Sequence, residues 1–192
     1  SRSNGIDLYD SHNNRIVRNA LFHLHDGIYL ENSNHNIVEE NSVSGSRYGI
    51  HCMYTDGTII RHNTGSMNVT GAMVMAVHDT EVVGNTFYKQ NENVNSQGIL
   101  LFDAHTSLFA ENKVIGNRVG FYIEVSSDNQ IVRNEITDNF IGLQFIEASG
   151  NQIESNLIRG NVIDAEARDS EANKLDGNFW DGFRGIDTDQ DG

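Results

Sequence analysis

The sequence predicts an all-β fold, a right-handed parallel β-helix of about eight 22-residue coils with asparagine ladders. Three observations predict it: a periodic row of glycines, periodic rows of asparagines, and short segments in which apolar and polar residues alternate. The glycines are separated by 22, 22, 22, 27, 22 and 22 residues, at Gly5, Gly27, Gly49, Gly71, Gly98, Gly120 and Gly142. A period kept along most of a chain indicates a repeat architecture in which each unit stacks on the next.

Each repeat contains three short apolar segments, which the unit from Gly120 to Gly142 shows most clearly. Alternation of apolar and polar residues within a segment is typical of half-buried strands. Equivalent positions form four apolar rows that we expect to fill the interior, one of them being Ile6, Ile28, Ile50, Ala72, Ile99, Phe121, Leu143 and Ala165. The main alternative at this period is a leucine-rich repeat, but its L-x-x-L-x-L frame is not found in this chain.

Asparagines keep the same period, and we place them at the corners between strands. Asparagine tolerates left-handed backbone, and stacked amides can bond to one another as a ladder. The three rows are Asn19, Asn41, Asn63, Asn85, Asn112, Asn134, Asn156, Asn178; Asn14, Asn36, Thr58, Thr80, Ser107, Asn129, Asn151, Asn173; and Asn68, Asn95, Asn117, Asn139, Asn161. The single gap of 27 residues indicates a five-residue insertion, which we place within Tyr88 to Val94.

Composition limits the class of partner. The formal net charge of −14 makes nucleic acid or an anionic membrane an unsuitable partner, and favours cations or a basic protein surface. The absence of proline suits continuous strand ladders, and the absence of long apolar runs predicts no membrane insertion by this segment. The only cysteine, Cys52, falls in an inward row, so we interpret it as a small buried hydrophobe and not as a metal ligand.

The repeats extend over residues 1–176 and are followed by an aromatic and acidic tail at residues 177–192. In the tail, Phe179, Trp180 and Phe183 are candidates to close the open end of the core. Asp187, Asp189 and Asp191 match the first half of a calcium-binding loop, although the late acidic ligand of such a loop is missing. The tail is therefore either a calcium site or an acidic segment without one. Because the sequence opens within a repeat and stops within this motif, we expect both ends to be boundaries of a longer protein.

Two outward rows on one face carry soft metal ligands. Counting from each glycine, the second and fourth residues point outward, which places His51, Met53, Met73 and Met75 together on two adjacent coils. Neighbouring coils lie ~4.8 Å apart, and alternate residues of one strand lie ~6.6 Å apart. Thioethers with an imidazole suit Cu(I) better than zinc, calcium or magnesium. His78 and His105 share one position on successive coils and are candidates for a second site or a relay.

Two segments carry a resemblance to a known family. The tail GNFWDGFRGIDTDQDG resembles the C-terminal motif of the NosD family, and the segment GIHCMYTDGTIIRHN, which contains Met53 and Tyr54, resembles a strand of that family. NosD proteins are periplasmic, copper-related β-helix proteins required for the maturation of nitrous oxide reductase. The resemblance implies an exported protein that acts with a copper-enzyme client, a copper chaperone and an ABC-type membrane complex. It implies no catalysis by this chain itself.

Two other functions are compatible with the sequence. A polysaccharide lyase, epimerase or glycosidase would use outward aromatic residues for sugar stacking and acids such as Glu31, Glu124 and Glu147, but no basic cluster accompanies these acids. A docking scaffold would use the methionines with Leu100 and Phe102 as an adaptable apolar surface and the insertion as a recognition loop. A copper-handling maturation factor is the function that the sequence favours.

Overall fold

The structure, a computed structural model, describes residues 3–91 and 93–181, which form 24 parallel strands arranged as eight coils of three strands. The strands of coils 1 to 4 are β1 (Ile6–Tyr9), β2 (Arg15–Val17), β3 (Ala20–Phe22), β4 (Asp26–Glu31), β5 (Ile37–Glu39), β6 (Ser42–Ser44), β7 (Tyr48–Met53), β8 (Ile59–Arg61), β9 (Thr64–Ser66), β10 (Thr70–His78), β11 (Glu81–Val83) and β12 (Thr86–Tyr88). Those of coils 5 to 8 are β13 (Gln97–His105), β14 (Leu108–Ala110), β15 (Lys113–Ile115), β16 (Val119–Glu124), β17 (Gln130–Val132), β18 (Glu135–Thr137), β19 (Ile141–Ile146), β20 (Gln152–Glu154), β21 (Leu157–Arg159), β22 (Ile163–Arg168), β23 (Lys174–Asp176) and β24 (Phe179–Trp180).

Every third strand belongs to the same sheet. Sheet A contains the first strand of each coil, from β1 to β22; sheet B the second, from β2 to β23; and sheet C the third, from β3 to β24. All pairs are parallel. Partners are 22 residues apart, as with Ile28 and Ile50, except between coils 4 and 5, where they are 27 apart, as with Thr70 and Gln97. The predicted parallel β-helix with its period is therefore confirmed. Among the described residues we found no helix that could cross a bilayer.

The corners between the strands use left-handed backbone. Between sheets B and C, the same corner position has φ of 56° at Arg18, 57° at Glu40 and 56° at His62. Such a conformation is costly for most residues, and it recurs here because each coil must turn sharply and still keep its register with the coils on either side.

The asparagine row that starts at Asn19 forms an uninterrupted ladder. Within it, the Oδ1 of Asn63 accepts hydrogen bonds from both the backbone N–H and the side-chain amide of Asn41. The amide of Asn63 in turn donates to the carbonyl of Val38 and to Oδ1 of Asn85. Because each buried amide has all of these partners, it bonds its own coil to both neighbouring coils, as predicted.

The third asparagine row differs from the prediction at one position. Gln90, and not Asn95, continues the row from Asn68 to Asn117: its Oε1 accepts the N–H of Asn68, and its own N–H donates to Oδ1 of Asn117. Gln90 is fully buried, whereas Asn95 is exposed. The spacing is 22 residues from Asn68 to Gln90 and 27 from Gln90 to Asn117, so the insertion follows Gln90 and consists of residues 91–95. The longer glutamine side chain accepts a bond from the preceding coil and donates to the carbonyl of Gly65, as the asparagines of this row do to their own carbonyl partners.

The four inward rows form one continuous core. Between the two ends of the stack they are nearly all fully buried, and Phe109 and Phe121 meet edge to face with ring centroids 6.4 Å apart. At the C-terminal end, Trp180 packs against this core, whereas Phe179 is 62% exposed. Phe183 and the acidic triplet Asp187, Asp189 and Asp191 lie outside the described residues.

Candidate functional site

The outer face of sheet A has the register that the sequence predicted. His51 pairs with Met73, and Met53 pairs with Met75, across strands β7 and β10. On the next coil, Met73 pairs with Leu100 and Met75 with Phe102. We call the four residues His51, Met53, Met73 and Met75 the soft-ligand cluster. It has three thioethers and one imidazole on two neighbouring strands.

Two methionines of the soft-ligand cluster border an open groove. Met73 and Met75 line a hollow of about 380 Å³ together with Asn95, Gln97, Leu100, Phe102, Tyr122 and Glu124. Met53, Met73 and Met75 are each half-buried, so their thioethers belong to a partly covered surface. Asn95 belongs to the insertion, which therefore borders the groove as the sequence suggested.

His51 lies in the outward row but is only 6% exposed, which differs from the open surface position that we expected. Its ring is flanked by the rings of Tyr29 and Tyr48, each edge to face at a centroid distance of 4.9 Å. Large neighbours on the same face therefore cover this side chain, which alternation along the strand does not reveal. Its Nε2 is buried and has no hydrogen-bond partner among the described residues.

Asp26 and Arg47 complete this site, and sequence reasoning missed both. The Nδ1 of His51 lies 3.0 Å from Oδ2 of Asp26. The same carboxylate accepts two hydrogen bonds from Arg47, from Nε at 3.1 Å and from Nη2 at 3.0 Å. Burial alone would raise the pKa of Asp26, but the hydrogen bonds from His51 and Arg47 outweigh burial and lower it. The only sequence signal was that Asp26 directly precedes a glycine of the periodic row, one coil before His51.

His78 and His105 form a separate pair at the end of the longer strands β10 and β13. Their ring centroids are 5.4 Å apart. In His105, Nε2 lies 2.7 Å from Oδ1 of Asp103 and Nδ1 lies 2.7 Å from Oγ of Ser127, so both ring nitrogens already have partners. His78 is exposed, with Nδ1 at 3.5 Å from Asp56. A metal role for this pair stays a prediction and would require His105 to exchange a partner.

Cys52 lies on strand β7 between His51 and Met53 but faces the core. It is fully buried, and this burial raises the pKa of its thiol to about 12. The thiol therefore stays protonated at neutral pH and is unsuited to bind a metal on the outer face.

Two tyrosine–carboxylate pairs flank the soft-ligand cluster. Tyr29 donates to Glu31 on coil 2 at 3.1 Å, and Tyr122 donates to Glu124 on coil 6 at 2.8 Å. Burial and then the adjacent carboxylate raise the pKa of each phenol to about 12. These tyrosines are therefore neutral hydrogen-bond donors. Their partners place a carboxyl group on each side of the soft-ligand cluster on the outer face of sheet A.

Residues 3–91 and 93–181 contain no group of three or more His, Cys, Asp or Glu side chains that could hold a metal ion. The soft-ligand cluster offers thioethers instead. Cu(I) accepts such ligands readily, whereas magnesium and calcium do not.

Comparisons with known proteins agree with the fold. A family model described as "Periplasmic copper-binding protein (NosD)" matches residues 1–185. A search of the curated proteins found no match. Similar solved structures include the periplasmic alginate epimerase AlgG, with 19% identity, a TM-score of 0.67 and coverage of 95% of this chain and 47% of that one. The A-module of the mannuronan C-5 epimerase AlgE6 from Azotobacter vinelandii has 17% identity, a TM-score of 0.68 and coverage of 95% and 58%.

The chain thus spans about half the length of these epimerase structures. At such low identity, the likeness establishes a shared β-helix and no shared activity.

Proposed function

Because this chain belongs to the NosD family of periplasmic copper-binding proteins, we propose that it is an exported maturation factor that holds Cu(I) on the outer face of sheet A. The proposed ligands are the soft-ligand cluster, His51, Met53, Met73 and Met75. The copper is cargo for a client enzyme, and the client that the family resemblance implies is nitrous oxide reductase.

One observation carries this proposal: the register places His51 beside Met73 and Met53 beside Met75 on adjacent strands. Equivalent positions on neighbouring strands lie ~4.8 Å apart, a separation that flexible thioether side chains can bridge around one ion. The donor set also fits the ion, because thioethers and imidazole bind Cu(I) well. The buried, unpartnered Nε2 of His51 adds a nitrogen donor that no protein group already occupies.

Delivery of copper requires docking, and the surroundings of the groove support this part of the proposal. Val94, in the insertion beside the groove, is 75% exposed, so its apolar side chain is available to a docking partner. The chain carries a net charge of −14, which suits a partner with a basic contact surface. We propose that the copper chaperone, the client and an ABC-type membrane complex use this region.

The test is an anaerobic competition titration of Cu(I) between the protein and a chromophoric chelator. The Met73→Leu/Met75→Leu variant removes two thioethers and keeps similar side-chain volume, so folding should be retained. Met67→Leu is the matched control, because Met67 is the fourth methionine and lies at a corner, 51% exposed. We expect the double variant to bind Cu(I) at least about tenfold more weakly, since two soft ligands are lost, and the control to bind as wild type does.

Absence of tight Cu(I) binding by the wild type would overturn the copper function. Loss of binding in Met67→Leu, with retention in the double variant, would move the copper to another face and overturn the assignment of the site. The maturation role is tested separately by measuring the copper content of nitrous oxide reductase from cells that carry each variant.

A glycan-binding or glycan-modifying role is the second candidate. It is favoured by the Tyr122–Glu124 pair at the edge of the groove, since binding sites for small molecules combine aromatic side chains with a few polar groups. Incubation with alginate and neutral polysaccharides, with product analysis by NMR, tests it. Turnover that is lost in Glu124→Gln would favour this function over copper handling.

A further inference from the structure

Asp26 is a buried carboxylate with three charged or polar donors. Its side chain is 2% exposed, and it accepts hydrogen bonds from Nε and Nη2 of Arg47. Its third partner is Nδ1 of His51. The paired hydrogen bonds from the guanidinium of Arg47 identify this group as an ionised carboxylate.

An ionised carboxylate only accepts hydrogen bonds, so the Nδ1 of His51 must be the nitrogen that carries the proton. In the neutral imidazole, Nε2 then keeps a bare lone pair. This atom is buried and has no partner in the described part of the chain, and a buried polar atom without a hydrogen bond destabilises the folded protein when nothing binds it. A buried nitrogen without a partner does not stabilise the folded protein. Its free lone pair is suited to bind a ligand.

The orientation of the His51 ring is also fixed. Tyr29 and Tyr48 contact it from two sides, each at an interplanar angle of 72°. The guanidinium of Arg47 lies 4.4 Å from the ring centroid of Tyr48, so the same arginine holds both the carboxylate and one aromatic neighbour. Asp26 lies on the coil before His51, whereas Met73, the next residue of the outward row, lies on the coil after it.

We propose that Asp26 is the positioning residue of the copper site: it fixes the His51 tautomer in which Nε2 is the metal-binding atom, while Arg47 and the two tyrosines fix the ring. This inference rests on the proposed function and adds a supporting shell to it. Carboxylates that accept the second N–H of a metal-bound histidine are a recurrent means of orienting the ring, and their removal commonly lowers metal affinity about 10- to 100-fold.

The first experiment reads the tautomer directly. Long-range ¹H–¹⁵N NMR of the metal-free wild type at pH 8 distinguishes a protonated from a bare ring nitrogen. We expect His51 to show a protonated Nδ1 and a bare Nε2, and we expect Cu(I) to shift the Nε2 resonance. A wild type with its proton on Nε2 would overturn the inference without any variant.

The second experiment removes the carboxylate. In Asp26→Leu the acceptor is lost while the number and branching of side-chain heavy atoms are kept, and the half-exposed Arg47 can turn to solvent. We expect an Nε2-protonated tautomer to appear and Cu(I) affinity to fall about 10- to 100-fold. Asp10→Leu is the control, since Asp10 is a carboxylate partner of His12, which lies outside the soft-ligand cluster and outside the His78–His105 pair. It should leave Cu(I) affinity unchanged.

The two proposals fail differently. If the wild type binds Cu(I) and Asp26→Leu binds it equally well, only the role of Asp26 is overturned. If the wild type does not bind Cu(I), the proposed function is overturned together with the metal role of this site.

Discussion

Phe87 fills the space that the missing side chain of Gly65 leaves in the preceding coil. The two residues are ladder partners in sheet C, and Phe87 is 1% exposed. A Cβ atom placed on Gly65 would lie 2.8 Å from Cδ1 of Phe87, closer than real contacts allow. The inward row thus alternates large and small residues here, as a narrow core of fixed volume requires.

We therefore expect Gly65→Ala to destabilise the protein by about 1–3 kcal/mol, since the rigid ring of Phe87 must shift. Urea denaturation measures this loss. Adding Phe87→Leu should recover part of it, because a smaller side chain admits the new methyl group. Strictly additive effects of the two substitutions would contradict the proposed packing relationship. Gly116→Ala serves for comparison, because no neighbouring atom lies within 4 Å and only its φ of +68° causes strain.

Gln90 should matter more to stability than Asn95. Gln90→Ala removes an acceptor from the N–H of Asn68 and a donor to the carbonyl of Gly65, both buried, at a cost of about 1–3 kcal/mol. Asn95→Ala changes an exposed side chain and should stay within about 0.5 kcal/mol of wild type. Thermal and urea denaturation of both variants check this. Equal effects would show that Gln90 does not carry the ladder in solution.

Deletion of residues 91–95 should leave the stack folded, because Gln90 and Ser96 then have the spacing of the other coils. Circular dichroism and urea denaturation measure the outcome. Unfolding of this variant would mean that the insertion is needed for the structure itself and is not an accessory of the groove.

Cys52 should be unreactive in the folded protein. Its thiol is buried with a pKa raised to about 12, so a thiol reagent at pH 8 should modify it only after unfolding in urea. The Cys52→Ala variant should keep Cu(I) affinity, because the side chain faces the core. Rapid modification of the native protein, or loss of Cu(I) binding in the variant, would contradict this assignment.

The carboxyl group of Glu39 should titrate below its ordinary value of 4.5. Arg61 donates to it at 3.0 Å and Arg15 at 3.1 Å, and these bonds favour the ionised form. Since the folded-state pKa is lowered, its contribution to stability is present above pH 4.5 and is lost as the pH falls through the folded-state pKa.

NMR titration of the Glu39 side chain measures this pKa directly. Arg61→Gln should raise it towards 4.5, and added salt should shift it in the same direction because salt screens ion pairs near the surface. Arg133→Gln, which removes the partner of Glu111, is the control and should leave Glu39 unchanged. No change in Arg61→Gln would show that the ion pair does not form in solution.

The period of the sequence alone was sufficient to predict the β-helix, the four core rows and the pairing of the outward rows. Each coil contacts its neighbours at equivalent positions, so one repeat length fixes the partner of nearly every residue. Met73 beside His51 and Met75 beside Met53 follow directly from this rule. The rule failed at the insertion, where Gln90 takes the place of the expected asparagine because its longer side chain reaches the N–H of Asn68 and the carbonyl of Gly65.

Only the tertiary structure decided the environment of His51. Its row position predicted an outward side chain. Tyr29 and Tyr48 cover this side chain and Asp26 bonds to it, and these contacts depend on the conformations of the side chains, which the repeat does not specify. Repetition along the chain determines which backbone positions are neighbours. It does not determine how large side chains on an outer face fill the space between coils, and that packing leaves Nε2 of His51 buried and without a protein partner.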